Sequence, residues 1–150
     1  MSILRLLAAA VLVAGGVLVA AAGPVSAKDK VHYLAVHVDD SNPATMNLAL
    51  NNVQNVRTYY ASKGEKAIVE VVAYGPGLKM YMADSPVKAR IETMALESSE
   101  VQFSACANTH RKMSEKAGKD IPLLVEAKMV PSGVIRLIEL QEGGYSYLRP

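Results

Sequence analysis

The sequence predicts an α/β fold: a three-layer α/β/α sandwich around a mostly parallel five-stranded sheet. Two observations predict it. Short runs such as VHYLAVHV, AIVEVVAY and VQFSA are β-branched and almost continuously apolar, the pattern of strands covered on both faces. Between them lie helix-length stretches, several with apolar residues at three-to-four spacing and two opened by a cap-plus-proline signal. Crossovers of that length join strands running the same way, with helices packed on both faces.

The first strand is Val31 to Val38, broken by Asp39-Asp40-Ser41-Asn42-Pro43. Ser41 or Asn42 can cap a helix whose first turn takes Pro43, where a missing N–H costs nothing. Met46, Leu50, Val53 and Val56 or Arg57 mark its apolar side through Tyr60, and Lys63-Gly64 ends it. Ala67 to Tyr74 is the second strand, followed by the turn Gly75-Pro76-Gly77. Leu78 to Ala83 fits either a short helical turn or a loop. Ser85-Pro86 opens a second helix through about Glu97, with Val87, Ile91, Met94 and Ala95 on one side. Val101 to Ala105 is the third strand, and a helix from about Ala107 to Ala117 follows. A loop from Gly118 to Leu124 leads to a weaker fourth strand, Val125 to Val130, where Glu126 and Lys128 place it near an edge. Val134 to Gln141 forms the last helix, closed by Gly143-Gly144, and Tyr145 to Leu148 a short final strand.

The chain has 150 residues, room for one domain, and part of its 51% hydrophobic content is not core. Residues 1–27 carry one charge, Arg5, then an apolar run from Leu6 to Ala22, then Gly23-Pro24 and the small residues Val25 and Ala27. That order is the pattern of a secretory signal cleaved after Ala27, leaving a mature domain of residues 28–150 in the periplasm or outside the cell. An uncleaved anchor is the alternative, and only in that form does the membrane become a partner.

Sixteen basic against 14 acidic side chains give a net charge of +2, and no basic cluster exceeds Arg111-Lys112. That is no footprint for nucleic acid. Gly75-Pro76-Gly77 lacks the third glycine of a phosphate loop, since Met80 stands there, and a tight turn exposing N–H groups is its plainer meaning. Asp39 and Asp40 precede a helix start, where carboxylates complement the dipole. With no Cys-x-x-Cys pair, Ser/His/Asp set or metal-like His spacing, no cofactor or metal is assigned.

Cys106 is the only cysteine, and it sits where a strand becomes a helix. Unpaired N–H groups and the helix dipole at such a point favour the thiolate, which sulfur transfer and redox chemistry need. A free cysteine also serves as a buried apolar filler. His110 lies one helical turn beyond and could pair with the sulfur; His37 stands near the end of the first strand. Ligands in parallel sheets gather beyond the carboxyl ends of strands, so Asn42, Gly75 and Gly77 join Cys106, Asn108, Thr109 and His110 as candidates.

Three stretches, AYGPGLKM at 73–80, FSACANT at 103–109 and VPSGVIRLIELQEGGYSYLRP at 130–150, resemble the DsrE/DsrF-like family, in particular its small exported members. DDSNPATMNLALNNVQN is similar to that family's first crossover, so the likeness spans everything after Lys28. The resemblance implies a three-layer domain assembling into homo-oligomers, often trimers or hexamers. It also implies a cysteine near a strand end that carries sulfur as a persulfide and hands it to another protein. Carried over, Cys106 accepts sulfur, Asn108 and Thr109 shape its loop, and Gly75 and Gly77 form the neighbouring wall. The expectation is thus a carrier of sulfane sulfur, sulfurtransferase-like and not a turnover enzyme, whose donor and acceptor the sequence leaves open. An oligomeric binding module with a structural cysteine is the alternative, and a thiol-based peroxide sensor a third.

Overall fold

A computed structural model describes residues 30–150; the expected signal segment lies outside the described residues. Ten elements follow in order. They are β1 (Val31–Val38), α1 (Pro43–Ser62), β2 (Lys66–Ala73), a 3-10 helix (Gly75–Tyr81), α2 (Lys88–Glu97), β3 (Val101–Cys106), α3 (Ala107–Ala117), β4 (Ala127–Val130), α4 (Gly133–Glu142) and β5 (Ser146–Leu148). The five strands make one sheet in the order β4-β3-β2-β1-β5, with every pair parallel.

That order explains where the helices lie. From β1 to β4 each new strand adds on the same side of the last, and then the chain returns across the whole sheet to place β5 beside β1. A right-handed crossover puts its helix on one face when the chain steps one way and on the other face when it steps back. The two apolar clusters obey this. Met46, Leu50 and Val53 of α1 and Ile91 and Met94 of α2 pack with Val36, Val69, Val71 and Phe103, and Met113 of α3 joins them. On the opposite face Leu137 and Leu140 of α4 pack on Ala35 and Val72, with Tyr74 and Tyr145 alongside. One face therefore carries three helices, and the other carries only α4.

The main core is closed by the 3-10 helix, which resolves the ambiguous stretch after the glycine turn. Its Tyr81 is fully buried, meets Phe103 edge-on at 6.0 Å and donates its hydroxyl to Val71 O at 2.6 Å. Gly77 lets this segment touch β1: a β-carbon there would lie 2.1 Å from Val38 O.

Boundaries shift at several elements, and three of the shifts matter most here. Tyr74 lies beyond β2. Pro86 and Val87 form a turn, so α2 opens at Lys88 instead of Ser85, whose hydroxyl accepts from Val87 N–H at 3.3 Å. Val125 is 93% exposed and outside β4, which starts at Ala127 and is an edge strand, as its alternating charges predict.

The thinly covered face holds a buried charge. Glu70 is only 2% exposed and takes a two-bond fork from Arg136 of α4, both at 2.7 Å, plus the Ser104 hydroxyl at 2.6 Å. Burial pushes this carboxyl up, but the Arg136 and Ser104 hydrogen bonds outweigh it and hold the group below its ordinary value of about 4.5. The pair is the polar rivet between α4 and the sheet.

Removing one partner of a buried pair costs about 3–5 kcal/mol; Arg136 keeps a third of its side chain in solvent, so Arg136→Met is expected to cost about 2 kcal/mol. Glu70→Gln combined with Arg136→Met should recover most of that in urea unfolding. Because the Glu70 carboxyl is depressed, its contribution is complete above the unfolded value. It should vanish as pH falls through the lower folded value, and a unfolding series below about pH 4.5 checks this.

Candidate functional site

Reversal of the chain after β4 creates one crevice in which helices leave neighbouring strands toward opposite faces. β3 feeds α3 on the crowded face, and β4 feeds α4 on the open one. In open parallel sheets that switch point is where ligands are held. Cys106 is the last residue of β3 and pairs in register with Val130, the last residue of β4. The only cysteine in the chain stands in this crevice.

Its backbone is extended (φ −71°, ψ 114°) and it is the N-cap of α3. A cap is usually a hydroxyl or carboxylate oxygen that takes the free N–H groups of the first turn. The Cys106 side chain makes no such capping bond. Burial pushes the thiol up, but the Thr109 hydroxyl and the backbone N–H groups of Gly133, Thr109 and Asn108 outweigh it and hold the thiol below its ordinary value. Two helix N-termini contribute, since Asn108 and Thr109 open α3 and Gly133 opens α4.

Thr109 is aimed by its neighbour. Its Oγ1 accepts from Gly75 N–H at 3.0 Å, which leaves the hydroxyl proton free to point to the sulfur. Gly75 has φ +52°, a conformation that side-chain-bearing residues avoid, so the glycine is required by the turn that makes this contact. Cys106 is 4% exposed, but its shell is polar on the α3 and α4 sides.

Behind the sulfur lies a group of rings, of which sequence reasoning places only His37 near the strand ends. Tyr74 packs on the start of α4, where a β-carbon at Gly133 would come within 2.8 Å of its ring. His37 stacks on Tyr74 with centroids 4.6 Å apart, and its Nδ1 bonds the Tyr147 hydroxyl at 2.7 Å. His37 Nε2 is buried without a hydrogen-bond partner and lies 3.7 Å from Asp39, which Arg149 holds in a two-bond fork. Burial lowers the histidine more than Asp39 raises it, so the ring is neutral at neutral pH. Burial, with Asp39, Tyr147 and the nearby Cys106, raises the Tyr74 phenol and keeps it protonated.

Among the sequence candidates, Cys106, Asn108, Thr109 and Gly75 come together. Three do not. His110 turns its Nε2 to Ile121 O at 2.7 Å, so it ties α3 to the loop that follows and does not pair with the sulfur. The Asn42 side chain accepts from Ala44 N–H at 2.9 Å and is spent capping α1. Gly77 is a packing glycine against Val38. Gly133 and Tyr74 were missed because only the strand order shows that the ends of β2 and β4 flank Cys106. The one available signal was the glycine directly after Pro131-Ser132.

No family model matches the chain, and no curated protein does. A solved structure of a protein of unknown function, MTH1491 from Methanobacterium thermoautotrophicum, has a similar fold. It is 28% identical with a TM-score of 0.67, and the match covers 79% of this chain and 99% of that one.

The thiol of the folded protein is expected to titrate below the free value of about 8.5, and Thr109→Val should move its midpoint upward. Following iodoacetamide alkylation against pH in both proteins checks this. A midpoint unchanged by the substitution would remove the Thr109 hydroxyl from the account.

Proposed function

We propose that this chain is an exported carrier of sulfane sulfur in which Cys106 is the loading residue. The observation that supports the reading most is the lone thiol at the switch crevice, favoured as thiolate by Thr109 and by the first turns of two helices. A thiolate nucleophile attacks the terminal sulfur of a donor, the donor's S–S bond breaks, and the leaving group departs with the electron pair. The product is a Cys106 persulfide, itself an anion, which the same N–H groups can hold. Nothing is oxidised or reduced overall, so no redox cofactor is needed. The absence of a cationic His partner fits a carrier better than an acyl-transfer enzyme: His110 is turned away, and His37 is held neutral behind Tyr74.

Self-association belongs to the same reading. Val134, Ile135 and Ile138 on the outer side of α4 are each about half exposed, an apolar stripe on the helix that alone covers its face. A second copy is the partner proposed for it, whereas the sulfur donor and acceptor are unnamed.

One observation favours a second reading, a binding module with a structural cysteine: Cys106 is 4% exposed. Two measurements separate them. Intact mass after incubation with polysulfide should rise by one sulfur atom in the wild type and not in Cys106→Ser. Alkylation of the folded protein near pH 6 should be fast for a carrier and blocked until denaturation for the module. For the assembly, Ile135→Glu with Ile138→Glu should give monomers by light scattering, and an unchanged mass would end that part of the proposal.

A further inference from the structure

Next to the loop that carries Cys106 lies a feature that the reading above does not use. Beside the turn Gly75-Pro76 and the outer side of α3 lies a groove of about 460 Å³, lined by Gly75, Pro76, Thr109, Lys112, Met113 and Lys116. Thr109 links the two places: it lines the groove, and it lies in the first turn of α3, three residues after the N-cap Cys106. Lys112 and Lys116 are one helical turn apart and exposed, and neither has an acidic partner among the described residues. The acid within reach on this helix, Glu115, is taken by Arg111 at 2.9 Å. Two like charges at this spacing weaken a helix unless something negative lies between them. Pro76 and Met113 give the groove an apolar floor, which strengthens the field of the two ammonium groups over it.

Resting on the carrier reading, we propose that this groove docks the sulfur donor itself, as a small dianion bearing sulfane sulfur, with its charge between Lys112 and Lys116. Thiosulfate and short polysulfides share that chemistry. With thiosulfate, the Cys106 thiolate attacks the outer sulfur, the S–S bond breaks, and sulfite leaves with the electron pair. With a polysulfide the leaving group is the chain shortened by one sulfur. Charge and electron count balance in both. The groove is too open to select by shape, so selection is by charge: an uncharged electrophile gains nothing from the lysines.

The experiment uses the full mature chain and three variants: Lys112→Gln with Lys116→Gln, Lys112→Arg with Lys116→Arg, and Cys106→Ser. Persulfide formation is timed by intact mass with thiosulfate and, separately, with polysulfide; whichever donor loads the wild type identifies the source. The glutamine pair should load about tenfold more slowly at low salt, the arginine pair should match the wild type, and added salt should erase the difference. Alkylation by uncharged iodoacetamide at saturating pH should be the same in all cysteine-containing proteins, which shows that the thiol itself is intact. Calorimetry of thiosulfate on Cys106→Ser reports docking without transfer, and adding the glutamine pair should abolish it. Equal loading and equal binding with and without the lysines would overturn the docking site while leaving the carrier intact. Lysine-dependent binding with no sulfur ever gained by Cys106 would leave the site standing and remove the carrier.

Discussion

Right-handed crossover is the constraint from which the remaining architecture follows. Four strands laid down in one direction commit α1, α2 and α3 to the same face, and the return after β4 forces α4 to the other. One consequence is the thin cover over the second face, where a buried Glu70 must be held by Arg136 because one ten-residue helix cannot shield it with apolar side chains. Another is the crevice between β3 and β4. A cysteine one strand away, at the end of β2, would meet the N-terminus of no full helix. At the end of β3 it meets two.

The lowering of the thiol's pKa follows from that position. Burial opposes a thiolate, and among the described residues no histidine offsets it: His37 is neutral and His110 is engaged elsewhere, while Tyr74 keeps its proton. What outweighs burial is a set of fixed dipoles, three backbone N–H groups and one hydroxyl locked by Gly75. Dipoles differ from an ion pair in a way that matters for carrying sulfur. They offer no proton to the leaving group and do not collapse onto the nucleophile as a salt bridge would. They also accept a larger anion, since the charge of a persulfide can spread over two sulfur atoms in front of the same donors.

Much of the layout was legible in the chain. Continuous apolar strands, Pro43 at a helix start and Gly118 at a helix end (φ +66°) are local signals, and local signals fixed the elements to within a few residues. Cys106 and Thr109 were legible for the same reason, since strand end and helix start are adjacent in sequence. Tyr74 and Gly133 were not, and of His37 only its place near a strand end was. Each reaches the sulfur, or the ring beside it, through strand order, which depends on pairings between segments far apart in sequence, such as Ala73 with Ala105 and Cys106 with Val130. His110 misled because its helical spacing from Cys106 is right, but the loop after α3 offers its ring the Ile121 carbonyl, a partner that spacing alone cannot reveal.

The two helices that converge on the sulfur are unlike on their outer sides, and the proposed reading gives them different neighbours. α4 has the sheet on one side and must cover it alone, so Leu137 and Leu140 face in; Val134, Ile135 and Ile138 are then left over, more apolar surface than one helix can hide. α3 buries no residue fully and presents Lys112 and Lys116 to solvent. An apolar surface is covered at equilibrium by something that stays, whereas an unpaired cationic one attracts anions that come and go. On the proposed carrier reading, lasting contact falls on the α4 side and the α3 side is the approach to Cys106, so that the cysteine could be loaded and unloaded without an assembly coming apart.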